Sequence, residues 1–273
     1  MKRMPESSKA KKANRYQALL TRIFSNHFRP KLKEFEFERD EIVQVGEELN
    51  ITLPKNLGDV VYSQRYRAEW PPEIKTTLSE GTDWIIVPAG RSRYRFKLIR
   101  GSSRVVPRLN ASVIKVPDAT PEIIAKYAQT QEQAVLARVR YNRLVDIFLG
   151  ITAYSLQNHF RTTVREMGQI EIDELYVGVN REGQQFIVPV QAKGGSDQLS
   201  IVQAIQDIAC CREKFPQLVC RPVSTQFMAD GVIVLFELRE EEDLIPRVAE
   251  ERHYSLVPAD QISDADLARY RQS

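Results

Sequence analysis

Four side chains in the middle of the sequence have the types and spacing for hydrolytic chemistry: Glu171 and Asp173, then Gln191 and Lys193. The members of each pair are two residues apart, so each pair shares one face if its segment is extended. Between the pairs, "NREGQ" places Gly183 where a three-residue loop with a bulge needs positive φ. With Asn180 opposite Gln184, Asp173 falls opposite Gln191 and Glu171 opposite Lys193. All four then lie on one sheet face, with opposed Cβ atoms about 5 Å apart. A one-residue slip would separate them, so the expectation depends on this register.

A hard cation such as Mg²⁺ takes oxygen ligands from carboxylates, amide carbonyls and water. Asp173 and the side-chain carbonyl of Gln191 are expected to supply two, and the backbone carbonyl of Ala192 a third. Such a cation lowers the pKa of its water and offsets charge on a phosphate. Lys193 is then placed to orient that water or to stabilise a pentavalent transition state. Glu171 either holds Lys193 or ligates a second ion. The cofactor expectation is Mg²⁺ or Mn²⁺, one or two ions.

The pattern "IEIDELYVG" with "VQAKGG" resembles the PD-(D/E)xK nuclease superfamily, in which an Asp on one strand faces a (D/E)-x-K on the next. The Gln-x-Lys form is similar to that of the Mrr-like restriction branch and of transposon end-cleaving subunits. Gln191 stands where the family has an acid, and Ile172 where its label has Pro. The resemblance covers roughly residues 130–240. It implies a restriction-endonuclease-like α/β (α+β) core, with Asp173 and Gln191 as metal ligands and Lys193 as the catalytic amine. A helix carrying Gln203 and Gln206 is expected beside the site.

The elements that must position this cluster follow from periodicity. The segment from Glu132 to Val164 predicts one helix bent near Gly150, or two. Strands are expected at 170–179, 185–193, 219–227 and 231–238, with a helix over "SIVQAIQDIACCREKF" between the second and third. Glu174 reads as a solvated or helix-paired residue. Cys210 and Cys211 read as core, Trp70 and Trp84 as packing, and His159 as a structural histidine.

Upstream, "NRYQALLTRIFSNHF" puts Leu19, Leu20, Ile23 and Phe24 on one helical face. "FERDEIVQVGEELN" predicts a second helix with Ile42, Val43 and Leu49 inward. A third short helix runs to Arg67, and "DWIIVPAGRSRYRFKLI" predicts a β-hairpin. Helix, helix, turn, helix, hairpin is the order of a winged helix-turn-helix. On that reading Tyr62, Gln64, Arg65 and Arg67 face DNA from the third helix. Arg91, Arg93, Arg95 and Lys97 face it from the hairpin, the three arginines sharing a cationic strand face. The expected layout is a disordered basic tail at 1–15, a winged-helix-like domain at 16–105, a linker at 106–125 and a nuclease domain at 126–273.

Net charge over the 273 residues is only +3, but it is unevenly spread. From Trp84 to Pro117 there are eight basic residues and no acid, which points to a polyanionic partner, double-stranded DNA. Three clustered cysteines and three isolated histidines give no zinc pattern and fit a reduced cytoplasm, which the resemblance implies is prokaryotic. No apolar run reaches the ~18 residues of a membrane span, and "MKRMPESSKAKKANRY" lacks a signal's apolar region. The expected function is a Mg²⁺-dependent DNA endonuclease of restriction type, acting as a homodimer. The long helix, with Tyr141, Phe148 and Tyr154, reads equally as dimer surface or core. Transposon-end, junction or repair cleavage by the same fold is the alternative enzyme reading. A non-catalytic winged-helix regulator is the alternative from another class.

Overall fold

The computed structural model describes residues 6–66, 68–127, 131–194, 198–241 and 243–272, with the side chains of 6–14 and 131 outside the description. The chain divides into two compact units. The first comprises residues 1–104 with 163–168, and the second 105–162 with 169–273.

The first unit runs α1 (Glu6–His27), β1 (Glu34–Glu38), α2 (Glu41–Glu48), α3 (Gly58–Tyr66), α4 (Pro72–Lys75), β2 (Thr82–Pro88), β3 (Arg93–Arg100). Of the tail expected to be disordered, residues 1–5 lie outside the described residues, and from Glu6 the chain is helical. Leu19, Leu20, Ile23 and Phe24 of α1 are buried, as their spacing predicts, against Ile42, Val60, Trp84 and Phe96. On α2 the inward residues are Ile42, Val45 and Gly46; Val43 and Leu49 are not among them.

The sequence reading missed β1, whose "EFEFE" alternation turns Phe37 into the core. It pairs antiparallel with β3 in a sheet of order β1-β3-β2. The register sets Glu34 opposite Lys97, Glu36 opposite Arg95 and Glu38 opposite Arg93.

After β4 (Arg104–Val105) come β5 (Val113–Pro117), α5 (Glu122–Tyr127), α6 (Gln131–Tyr141), α7 (Leu144–Leu149), β6 (Thr152–Val164), β7 (Gly168–Val179) and β8 (Gln185–Lys193). Then follow β9 (Leu199–Ser200), α8 (Ile201–Lys214), β10 (Val219–Cys220), β11 (Val223–Phe227), β12 (Ile233–Glu240), β13 (Pro246–Val257) and α9 (Asp264–Tyr270). The large sheet has the order β5-β13-β12-β11-β8-β7-β6, with β10 also paired to β8. The stretch read as a linker therefore carries an edge strand, β5, parallel to β13.

Helix ends where a second helical stretch was expected. Gly150 adopts φ 64° and its N–H bonds the Asp146 carbonyl, closing α7. Asp146 Oδ1 then accepts from Ala153 N at 2.9 Å and starts β6, a strand rich in Thr, Tyr and Phe. Of the three aromatics in this region, Phe148 is buried, whereas Tyr141 and Tyr154 are exposed.

α6 and α7 pack Val135, Val139, Leu144 and Phe148 against Val188, Val190 and Ala192 of β8. The alternate residues of β8 face α8, which connects β8 to its parallel neighbour β11. Cys210 and Cys211 are buried on α8, as expected.

Candidate active site

Residues Glu174–Val179 of β7 pair antiparallel with Gln185–Val190 of β8, Glu174 opposite Val190, in the register the turn chemistry predicts. The turn itself is built on Asn180, whose Oδ1 accepts from Glu182 N and Gln184 N, and on Gly183 at φ 80°. Beyond Val190 two side-chain bonds link the strands. Ala192 N donates to Asp173 Oδ2 at 2.8 Å, and Gln191 Nε2 donates to Glu171 O at 3.1 Å.

Asp173 is half-buried. Burial pushes its carboxyl above the usual carboxylate range, and Glu132 and Glu171 add to the rise. Lys193 and the Ala192 N–H offset this only in part. Lys193 is buried, with 6% of its surface exposed. Its ammonium is 3.6 Å from Glu132 Oε1 of α6.

Of the two roles expected for Glu171, holding Lys193 is not what its contacts show, because Lys193 lies by Glu132. Glu171 is exposed and turns toward β6, where Arg161 Nε lies 3.0 Å and His159 Nδ1 3.2 Å from its carboxylate. Those two partners, Arg161 foremost, hold its pKa below the usual range. A carboxylate so placed has an exposed guanidinium and an imidazole within reach on the neighbouring strand. His159 lies on β6, so it is a strand residue with an acidic partner.

Glu174, next in sequence, points to the opposite face. It is fully buried, and its Oε1 accepts from Arg140 Nε at 2.6 Å and Ser155 Oγ at 2.8 Å.

Gln191 is 2% exposed and sits in a chain of side chains that the sequence reading only half anticipated. Its Nε2 also donates to Asp207 Oδ1 at 3.0 Å, and its Oε1 accepts from Gln203 Nε2 at 3.0 Å. Gln203 and Asp207 both belong to α8. Asp207 is 2% exposed, and burial drives its carboxyl well above the usual range, with the Gln191 bond and Lys193 opposing. The signal for Asp207 was its place on the apolar stripe of α8, between Ala204 and Ile208, where an acid must find a donor.

Among the described residues no group of three or more His, Cys, Asp and Glu side chains is placed to hold a metal ion. Mg²⁺ does not require one, since it is commonly held by one or two carboxylates and keeps several waters. Two observations fit such an ion. Burial leaves the Asp173 carboxyl above the usual range despite Lys193, and among the described residues Gln203 Oε1 is an inaccessible acceptor without a hydrogen-bond partner. Ala192 turns its N–H toward Asp173. In an extended strand the carbonyl of the same residue leaves on that side too, which makes it available as a further oxygen.

The residues expected to face DNA are distributed differently. Tyr62 is exposed on α3, its ring 4.6 Å from that of Tyr66. Gln64 is buried and donates to Ala68 O at 3.1 Å. Arg65 donates through Nε to Ile86 O at 2.7 Å, and burial pushes its guanidinium below the usual range. These two side chains serve the unit's own packing. Arg67 lies outside the described residues.

Arg91 is exposed in the β2–β3 turn, so it does not share a strand face with the other arginines. Arg93, Arg95 and Lys97 do share one, but their cross-strand neighbours are glutamates. Glu36 takes Arg95 at 2.6 Å and Arg93 at 3.5 Å. On the face expected to be cationic, Arg93 and Arg95 are therefore paired to Glu36, and Lys97 stands opposite Glu34. Arg104, unremarked in the sequence, bonds the carbonyls of Arg65, Gln64 and Ala68 at the end of α3.

No family model, curated protein or solved structure matches the chain. Among the described residues no helix is long and apolar enough to cross a membrane.

Proposed function

We propose that the chain is a metal-dependent DNA endonuclease of the PD-(D/E)xK type. The observation that carries the reading is the set Asp173, Gln191 and Lys193 at one end of the β7–β8 pair. There Asp173 reaches across to the Ala192 backbone, and Lys193 lies buried nearby. The path α6–α7, β6, β7, β8, α8, β11, with β8 and β11 parallel, supports it as the helix–three strands–helix–strand core of that fold. The first unit's order α1, β1, α2, α3, β2, β3, with the sheet β1-β3-β2, supports a winged helix.

In this reading Asp173 and the Ala192 carbonyl would hold one Mg²⁺ or Mn²⁺, and the Gln191 side-chain carbonyl, expected from the sequence as a further ligand, is instead taken by Gln203 Nε2. Bound there, the ion supplies an acidified water and neutralises phosphate charge. Lys193 contributes a positive charge in a site largely closed to solvent, where it stabilises negative charge developing on the phosphate oxygens. Its burial fixes its position in advance, so little reorganisation is needed as that charge grows. Gln191 holds the end of the hairpin to α8 through Asp207. A homodimer would match the two-fold duplex, as double-strand cleavage requires.

The test is cleavage of methylated and unmethylated plasmid and phage DNA with Mg²⁺ or Mn²⁺, comparing the wild type with Lys193→Ala. Fragments from the wild type alone, with DNA binding kept by both, support the assignment. Equal cutting by both proteins removes Lys193 from the chemistry. Binding without cutting by either favours a non-catalytic DNA-binding regulator.

A further inference from the structure

The amide at 191 is matched to its surroundings by hydrogen-bond sense. A primary amide has two N–H donors on nitrogen and a carbonyl that only accepts. Both Nε2 neighbours of Gln191, Asp207 Oδ1 at 3.0 Å and the Glu171 backbone carbonyl at 3.1 Å, are acceptors. Its nitrogen must therefore face them, and Oε1 must face the other way. That in turn obliges Gln203 to offer its own Nε2 to Gln191 Oε1, at 3.0 Å. One direction of donation then runs from the half-buried Gln203 through the buried Gln191 to the buried Asp207, and among the described residues Gln203 Oε1 is left over as an inaccessible acceptor with no partner.

We infer that Asp207 is a positioning residue, which fixes the orientation of the Gln191 and Gln203 amides so that a free carbonyl oxygen remains at the site, and that it is the reason an amide stands at 191 in place of an acid. A carboxylate at 191 would present only acceptors to Asp207 and to the Glu171 carbonyl. The acid and the amide have exchanged places between β8 and α8. An acid at 191 would also face the Glu171 backbone carbonyl, which can only accept. The functional part of the inference rests on the nuclease reading above, whereas the pairing itself does not.

The test is a four-variant comparison with two readouts: Mn²⁺ affinity measured with the metal alone, and the thermal unfolding midpoint. Asp207→Asn keeps an oxygen for Gln191 Nε2, so it is expected to stay within about threefold of wild-type Mn²⁺ affinity. It should stay within about 2 °C in midpoint. Asp207→Ala leaves the amide without that acceptor, and Gln191→Glu sets acceptor against acceptor. Each should weaken Mn²⁺ binding about tenfold or more and lower the midpoint by about 4–8 °C.

The deciding protein is Gln191→Glu with Asp207→Asn, in which the new amide on the helix can donate to the new carboxylate. It relieves the contact with the helix but leaves the Glu171 carbonyl facing a carboxylate, so it should regain about half of the midpoint loss and part of the Mn²⁺ affinity. If it is no better than Gln191→Glu alone, or if Gln191→Glu is tolerated beside Asp207, the pairing is overturned. Should the wild type neither bind Mn²⁺ nor cut DNA, the nuclease reading fails together with the proposed role at the metal site. The midpoint pattern still decides the pairing in that case.

Discussion

The carboxylate of Asp173 takes the backbone N–H of Ala192 at 2.8 Å, so the residue most suited to hold a cation also secures the end of the β7–β8 pair. The two roles are separable by chemistry. Asp173→Asn retains an oxygen for the Ala192 N–H but removes the formal charge. The expected outcome is a cleavage rate reduced by about 10²–10³-fold, with a stability change of about 1 kcal/mol or less. Single-turnover cleavage and chemical denaturation measured on the same preparation check both halves.

Lys193 can be tested with its packing preserved. Lys193→Met keeps the buried aliphatic stem and removes the ammonium that lies 3.6 Å from Glu132. We expect cleavage to fall about 10²–10³-fold while DNA affinity changes little, because one buried charge contributes little to encounter with a duplex. A variant that cuts at the wild-type rate would make Lys193 a structural neighbour of Glu132 and no more.

A prediction about acid stability comes from Glu237, which is fully buried. Burial pushes its carboxyl up, but Arg221 and Arg239 outweigh that and hold it below the usual range. A carboxyl whose folded pKa lies below its unfolded value binds fewer protons when folded. Its contribution is therefore present above about pH 4.3 and is lost as pH falls through the folded value. Glu237→Gln should lose about 3 kcal/mol near neutral pH, because Arg221 is left with a neutral partner in a buried setting. The gap between variant and wild type should begin to narrow below about pH 4.3 and close only below the folded value. Urea unfolding at pH 7 and pH 3.5 would show whether it does.

The paired face of the first unit predicts a gain. Glu34, Glu36 and Glu38 stand opposite Lys97, Arg95 and Arg93. If duplex DNA docks there, replacing the three glutamates with glutamine should raise affinity about tenfold or more at 0.1 M salt. It should also steepen the salt dependence. An unchanged affinity, with Arg91→Ala lowering it, would move the contact to the turn. Fluorescence anisotropy at several salt concentrations separates the two.

The hairpin register, the two N-terminal strands β2 and β3, α8 and the α1 core face were legible because each rests on local chemistry: Gly183 at its turn, strand alternation, a helical stripe. What was not legible is mostly long-range. The run from Trp84 to Pro117 is free of acids only along the chain, because β1 brings three glutamates to it from outside that window. Gln64 and Arg65 look like reading-head residues on a short helix, yet their hydrogen bonds go to Ala68 and Ile86. β6 reads as helix in the sequence because "AYSLQNHF" has no strict alternation, a pattern that an edge strand exposed on both faces does not need. Asp207 was passed over inside an apolar helix, where its isolation was the clue.

Arg104 closes the first unit in a literal sense. It is the last residue of that unit's main segment, and its guanidinium satisfies three carbonyls at the end of α3. The last turn of α3 is thus finished by the chain's departure from the domain. A truncation ending at Arg100 would strip that support and let the helix fray, whereas one ending a few residues later would keep it. Limited proteolysis around 101–104 and loss of α3 would then be a single event, and the shortest fragment able to keep this helix intact must extend through Arg104.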